Sequence, residues 1–167
     1  IYFIPLNVEH KRKNEMALTV GDRIPEVLGV DQNGKEIKAS DLAGKKVVIY
    51  FYPKDNTPGC TAEACSLRDG YADLRAAGYE VIGVSKDSEA SHRKFIEKQS
   101  LPFTLIADTD TALNQAFGVW AEKTMAGRKY MGTVRTTFLV DETGCITDVL
   151  KKVDTKNHAV QILDANK

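Results

Sequence analysis

Two cysteines, Cys60 and Cys65, stand five residues apart in the stretch FYPKDNTPGCTAEAC, the first directly behind Thr57-Pro58-Gly59. Pro58 and Gly59 make a turn, and a helical pattern begins immediately after Cys60. Cys60 therefore falls in the first turn of that helix, where free backbone N–H groups and the helix macrodipole stabilise a thiolate, the nucleophilic form of cysteine. A lone cysteine near a turn is more often a small buried hydrophobe. Position, turn chemistry and the second cysteine together favour the chemical reading here.

Five residues along a helix correspond to about 140° of rotation and about 7.5 Å of rise, which puts the two Cα atoms roughly 8–9 Å apart. A disulfide tolerates Cα separations only to about 7 Å, so the pair cannot be bridged while the helix is intact. The spacing suits a cysteine that is oxidised in the folded state and resolved afterwards by a partner reached through local unfolding. Zinc is not expected, because His10, His92 and His158 are the only histidines and none stands at ligand spacing from the two cysteines. The third cysteine, Cys145, follows a turn glycine at the start of a strand and reads as structural.

The surrounding pattern supplies elements to hold these residues. Residues 47–52, VVIYFY, suit a strand buried on both faces. A helix over residues 61–77 follows, with Ala64, Leu67, Tyr71 and Leu74 at helical spacing and Gly78 as its stop. Residues 79–85 give a second buried strand, and residues 88–99 a second amphipathic helix with Phe95 and Ile96 inward. A third strand at residues 103–108 and a short helix at 111–117 come next. Residues 136–151 read as a hairpin turning at Asp141 to Gly144, residues 158–165 as a last helix, and Asn33-Gly34 as the turn of an N-terminal hairpin. Parallel crossovers followed by an antiparallel hairpin give a mixed sheet flanked by helices. Ligands in such a sheet gather where loops leave the carboxyl ends of strands, which is where Cys60 lies.

The 167 residues suffice for one domain. Basic and acidic residues balance at 23 each and are scattered, so nucleic acid is not an expected partner. No run of about 18 apolar residues is present, so a membrane span is not expected either. Residues 1–15 carry apolar residues ahead of the basic cluster at His10 to Lys13, the reverse of a secretory signal, and read as an upstream extension to a domain at residues 16–167. Three cysteines in a chain of this length fit a reducing, cytoplasmic setting.

The stretch YPKDNTPGCTAEACSLRD resembles the active-site region of the peroxiredoxins, specifically their bacterioferritin comigratory protein, or Q-type, branch. The family pattern P-x-x-x-T-x-x-C stands here as Pro53, Thr57 and Cys60, Cys65 matches the branch's second cysteine, and AFGVWAEKTMAGRKYMGTVRTTFLVDETG resembles its second signature. The likeness implies a thioredoxin-like α/β fold with an N-terminal β-hairpin and an insertion around residues 108–130. It also implies reduction of hydrogen peroxide and organic hydroperoxides. Cys60 would be the peroxidatic nucleophile and Cys65 the resolving thiol of an intramolecular disulfide.

By the same likeness Arg135 would hold the thiolate and polarise the peroxide. Thr57 would hydrogen-bond the sulfur or the peroxide, Pro53 would shield the thiolate, and backbone around Gly59 would complete the cradle. Glu63 is either a supporting polar contact or a first-turn glutamate that favours the helix dipole. Trp120 and Tyr130 read as core aromatics, with pocket lining as the other possibility. The expected reductant is thioredoxin or a similar thiol, with no cofactor and a monomeric or weakly dimeric chain. One rival is a non-catalytic binding or chaperone-like module in which both cysteines are incidental; the other is a thioredoxin-fold thiol–disulfide oxidoreductase acting on protein disulfides. By likeness to its own family the oxidoreductase calls for C-x-x-C and a proline just before the TFLV run at 137–140, where this chain has C-x-x-x-x-C and Thr136.

Overall fold

The computed structural model describes residues 17–165, so the expected extension at residues 1–15 lies outside the described residues. A hairpin comes first, β1 (Val27–Val30) and β2 (Glu36–Lys38). The Asp31 carboxylate closes it by accepting from the Asn33 and Lys35 amides at 2.8 and 2.9 Å. Then follow β3 (Lys46–Phe51), α1 (Pro58–Asp69), α2 (Tyr71–Ala76), β4 (Tyr79–Ser85), α3 (Glu89–Gln99), β5 (Thr104–Ala107) and α4 (Ala112–Ala116). A second hairpin, β6 (Trp120–Met125) and β7 (Arg128–Thr133), precedes β8 (Thr136–Val140), β9 (Ile146–Leu150) and α5 (His158–Ala165).

β3 is the middle strand of a five-stranded sheet of order β5-β4-β3-β8-β9. It pairs parallel with β4 and antiparallel with β8; β4 pairs parallel with β5, and β8 antiparallel with β9. Val48, Tyr50 and Tyr52 pack on one face with Leu67, Leu74, Phe95 and Ile162 from α1, α2, α3 and α5. Val47, Ile49 and Phe51 pack on the other with Leu28 of the first hairpin, Leu113 of α4 and Phe117. Each large apolar side chain so buried contributes roughly 1.5–3 kcal/mol, so β3 is a firm support, and the site hangs from its carboxyl end.

The mixed α/β fold expected from the sequence is the one observed, with two local corrections. The expected single helix over 61–77 is two helices, broken at Gly70. α5 lies so close there that a Cβ on Gly70 would collide with the Ala159 Cβ, and glycine is also a poor helix former. The insertion around residues 108–130 contains an unforeseen hairpin that turns at Ala126 and Gly127, both with positive φ. That is the two-residue turn geometry whose usual mark is Asn-Gly. Its strands are largely exposed, so they lack the apolar alternation that would reveal them. Among the described residues no helix is long and apolar enough to cross a membrane.

Candidate active site

The loop after β3 places Thr57 at the N-cap of α1, Pro58 in its first position and Cys60 in its first turn. The Thr57 carbonyl accepts from the Thr61 amide at 2.8 Å, which commits the first helical bond. The amides of Gly59 and Cys60 precede any intrahelical acceptor and remain as donors at the helix start. Cys60 is 1% exposed.

The register Phe51↔Thr136 brings the segment before β8 across from this helix start. Arg135 enters the site there. Its Nη2 donates to Cys60 Sγ at 3.3 Å and its Nη1 to Glu63 Oε1 at 2.6 Å. Burial works against the Arg135 charge, but Glu63 and Cys60 beside it more than offset that and hold its pKa above the ordinary value. Gly59 eases this approach, because a Cβ there would stand 3.2 Å from Nη2 and push the guanidinium back slightly. Lys123 of β6 adds a further cation at the rim, its pKa drawn down by burial and by the charge of Arg135.

Glu63 is no solvent-facing first-turn glutamate. It is fully buried, and burial pushes its pKa up to about 7 against the pull of Arg135. Its other oxygen, Oε2, faces His158 Nε2 of α5 at 3.5 Å.

Thr57 makes a bond within its own loop that the sequence did not announce. Its hydroxyl donates to the Lys54 carbonyl at 3.0 Å, so the proton is committed within the loop and the oxygen is left as an acceptor. Pro53 is partly buried on the same loop. Cys65, in the middle of α1, is half-buried with its thiol 3.4 Å from Gln99 Oε1, and all three cysteines are free thiols. Cys145 sits in the β8–β9 turn, at the Val140 end of β8 and so at the opposite end of the sheet from Cys60. Tyr130 is exposed, contrary to its reading as core, and Trp120 lies under Lys86 Nζ at 5.7 Å from the ring centre.

Sequence reasoning missed the group that fixes the loop. Asp55, buried, accepts from the Tyr52 hydroxyl at 2.6 Å, from the Ser91 hydroxyl at 2.8 Å and faces His92 Nδ1 at 2.8 Å. Its amide donates to Asp87 at 2.8 Å, and His92 Nε2 faces the Ile106 carbonyl at 2.9 Å. Asp55, Asp87 and His92 bring ligand-type atoms within 4.8 Å of one another, but these bonds already engage them. The only hint in the sequence was an aspartate three residues past a buried Tyr52.

The arrangement suits attack by a buried sulfur on a small electrophilic oxygen, with a fixed cation and helix-start amides to receive developing negative charge. Residues 20–149 match the AhpC/TSA family. Peroxiredoxin Bcp of Bacillus subtilis is 42% identical over 152 residues, covering 91% of this chain and 97% of that protein. A crystal structure of a cysteine-to-serine variant of Xylella fastidiosa PrxQ superposes with a TM-score of 0.81 at 33% identity, covering 89% of this chain and 95% of that one. The Xanthomonas campestris bacterioferritin comigratory protein, whose structure was solved to study alkyl peroxide reduction, gives a TM-score of 0.77 at 36% identity over 86% and 96% of the two chains. With a family match over residues 20–149 and 42% identity to a Bcp peroxiredoxin over 91% of its length, the chain belongs to the AhpC/TSA family and, within it, to the Bcp or Q-type peroxiredoxins.

Proposed function

We propose that this thiol-dependent peroxidase works through Cys60 as peroxidatic nucleophile and Cys65 as resolving thiol. The observation that carries the reading is the Arg135 guanidinium held 3.3 Å from a buried cysteine sulfur at a helix start. The Cys60 thiolate attacks the terminal oxygen of the hydroperoxide, a sulfur–oxygen bond forms, and the oxygen–oxygen bond breaks. Charge moves onto the leaving oxygen, where Arg135 and the α1 amides stabilise it. The Thr57 oxygen accepts the hydroperoxide O–H, and Pro53 keeps bulk water off the sulfur. The products are a Cys60 sulfenic acid and an alcohol, or water when the substrate is hydrogen peroxide.

Cys65 then displaces water from the sulfenic sulfur. Within intact α1 the two Cα atoms are roughly 8–9 Å apart, beyond disulfide reach, so the first turn unwinds before the bond closes. A thioredoxin-type dithiol restores both thiols by exchange. The rival reading, exchange with protein disulfides, is disfavoured by the burial of Cys60 in the reduced protein. A small hydroperoxide reaches such a sulfur far more readily than a folded protein's disulfide does.

The test is one equivalent of hydrogen peroxide without reductant, blocking of free thiols, and tryptic digestion. The peptide 55–68, which holds both Cys60 and Cys65, should be two hydrogens lighter and unalkylated. A cross-link to the Cys145 peptide, 136–151, would remove Cys65 as the resolving thiol. Three free thiols would remove the peroxidase reading. Cys65→Ser should keep the first oxidation and lose turnover with thioredoxin.

A further inference from the structure

The reacting sulfur does not have Arg135 to itself. Two groups that form anions, Cys60 and Glu63, share that one guanidinium at 3.3 and 2.6 Å. Only one oxygen of Glu63 is used in this way. Oε2 is buried with no hydrogen-bond partner among the described residues, and what it faces is His158 Nε2 at 3.5 Å.

The neighbours of His158 reveal where its protons are. The Gln161 amide nitrogen donates to the Lys152 carbonyl at 2.6 Å, and its Oε1 accepts from the Asp154 amide at 3.0 Å. Those two bonds fix the orientation of the Gln161 amide. His158 Nδ1, 2.9 Å from that Oε1, must therefore carry a hydrogen. Nε2 of the neutral ring is then an acceptor, supplied by the Thr137 hydroxyl at 2.7 Å. With that nitrogen already taken by Thr137, a bare carboxylate oxygen finds no donor there, and a buried Oε2 left without a hydrogen bond calls for a proton on the Glu63–His158 pair.

Burial raises Glu63 and lowers His158, with the charge of Arg135 adding to the second effect, so the proton rests on the carboxyl. Among the described residues the other groups acting on the cluster are Asp154, whose charge draws His158 up against its burial, the buried Tyr50 hydroxyl, its ionisation pushed further out of reach by burial and by Glu63, and Lys123 at the rim.

We propose that Glu63, held by His158, is the proton store of the peroxide reaction: it is a neutral acid while Cys60 is a thiolate and becomes a carboxylate when Cys60 is oxidised. This rests on the peroxidatic reading of Cys60. The balance is thiolate plus carboxylic acid plus hydroperoxide giving sulfenic acid plus carboxylate plus alcohol. Sulfur loses two electrons to the oxygen–oxygen bond, the leaving oxygen takes up one proton and Glu63 gives one up. Arg135 faces one anion before the reaction and one after it, so the buried charge is constant. His158 is a positioning residue in this scheme and touches no substrate.

Proton counting tests it. Cys65→Ser protein, stopped at the sulfenic acid, is mixed with hydrogen peroxide in weakly buffered indicator solution below the Glu63 value of about 7. Uptake should be well under one proton per Cys60 oxidised. Adding Glu63→Gln should bring it close to one, and adding His158→Gln should move it in the same direction, whereas a merely structural role would change rates and leave the count alone. Infrared difference spectra of the Cys65→Ser protein should show a protonated-carboxyl band lost on oxidation, and this needs no change at Glu63. Equal proton uptake with and without Glu63, or a persistent band, overturns the proposal. Failure of peroxide to oxidise Cys60 at all overturns the peroxidase assignment instead.

Discussion

Two buried carboxylate–imidazole pairs flank the start of α1, and they are built differently. Asp55 and His92 meet at 2.8 Å, and every polar atom of the pair is taken: Tyr52 and Ser91 donate to Asp55, and His92 reaches both a carboxylate and the Ile106 carbonyl. Glu63 and His158 stand 3.5 Å apart with one carboxylate oxygen unbonded. The first pair pins the 53–57 loop to α3 and β5. The second adjoins the Cys60 sulfur through Arg135. A saturated network rigidifies, whereas an unsaturated one retains somewhere for a proton to go.

Asp55→Ala separates the two pairs most strongly. It strands His92, Ser91 and Tyr52 in the interior and should cost about 3–5 kcal/mol, read from urea unfolding, whereas Glu63→Gln should cost much less. Equal losses would erase the distinction. Next, Arg135→Ala removes the donor shared by Cys60 and Glu63. Cys60 oxidation by peroxide should slow by about 10²–10³-fold in stopped-flow fluorescence, and an unchanged rate would take Arg135 out of the site.

A smaller effect lies in pH-dependent stability. The folded state holds the Glu63 proton more tightly than the unfolded chain, with the pKa moving from 4.5 to about 7. Glu63 therefore favours folding in acid, and that contribution is lost as pH rises through about 7. His158 shifts the opposite way: its folded pKa lies below the ordinary 6.5, so its contribution is complete above that value and is lost as pH falls. Glu63→Gln removes only the first, so its urea midpoint should rise relative to the parent between about pH 5 and pH 8. A constant difference would mean that Glu63 is ionised throughout. The smallest effect belongs to Gly59→Ala. The new Cβ displaces Nη2 by a few tenths of an ångström, and oxidation should slow roughly two- to fivefold with stability little altered.

The strand ending at the site, the cysteine spacing and Arg135 were legible because each leaves a local mark: a run of β-branched and aromatic residues, a turn before a helix, a basic residue before a buried strand. The break at Gly70 left none, since its cause is Ala159 of α5, far along the chain. Asp55 reads as a loop aspartate until Ser91 and His92 arrive from α3. Glu63 shows the limit most clearly. Its position five residues into α1 is consistent with a solvent-facing residue, and only α5 covering it converts it into a buried acid. Even the Thr57 bond depends on a loop conformation, with Asn56 in the left-handed region, that periodicity does not encode.

The dependence on α5 also carries a consequence for the timing of biosynthesis. Cys60 leaves the ribosome 75 residues before the arginine that serves it, and His158 emerges later still. A nascent chain that already displays both cysteines is thus without Arg135 and His158, to which the proposed mechanism owes the selectivity of Cys60 for peroxide. Chains stalled before and after α5 should differ in peroxide sensitivity at Cys60, which makes the reactivity of that thiol a marker of completed synthesis.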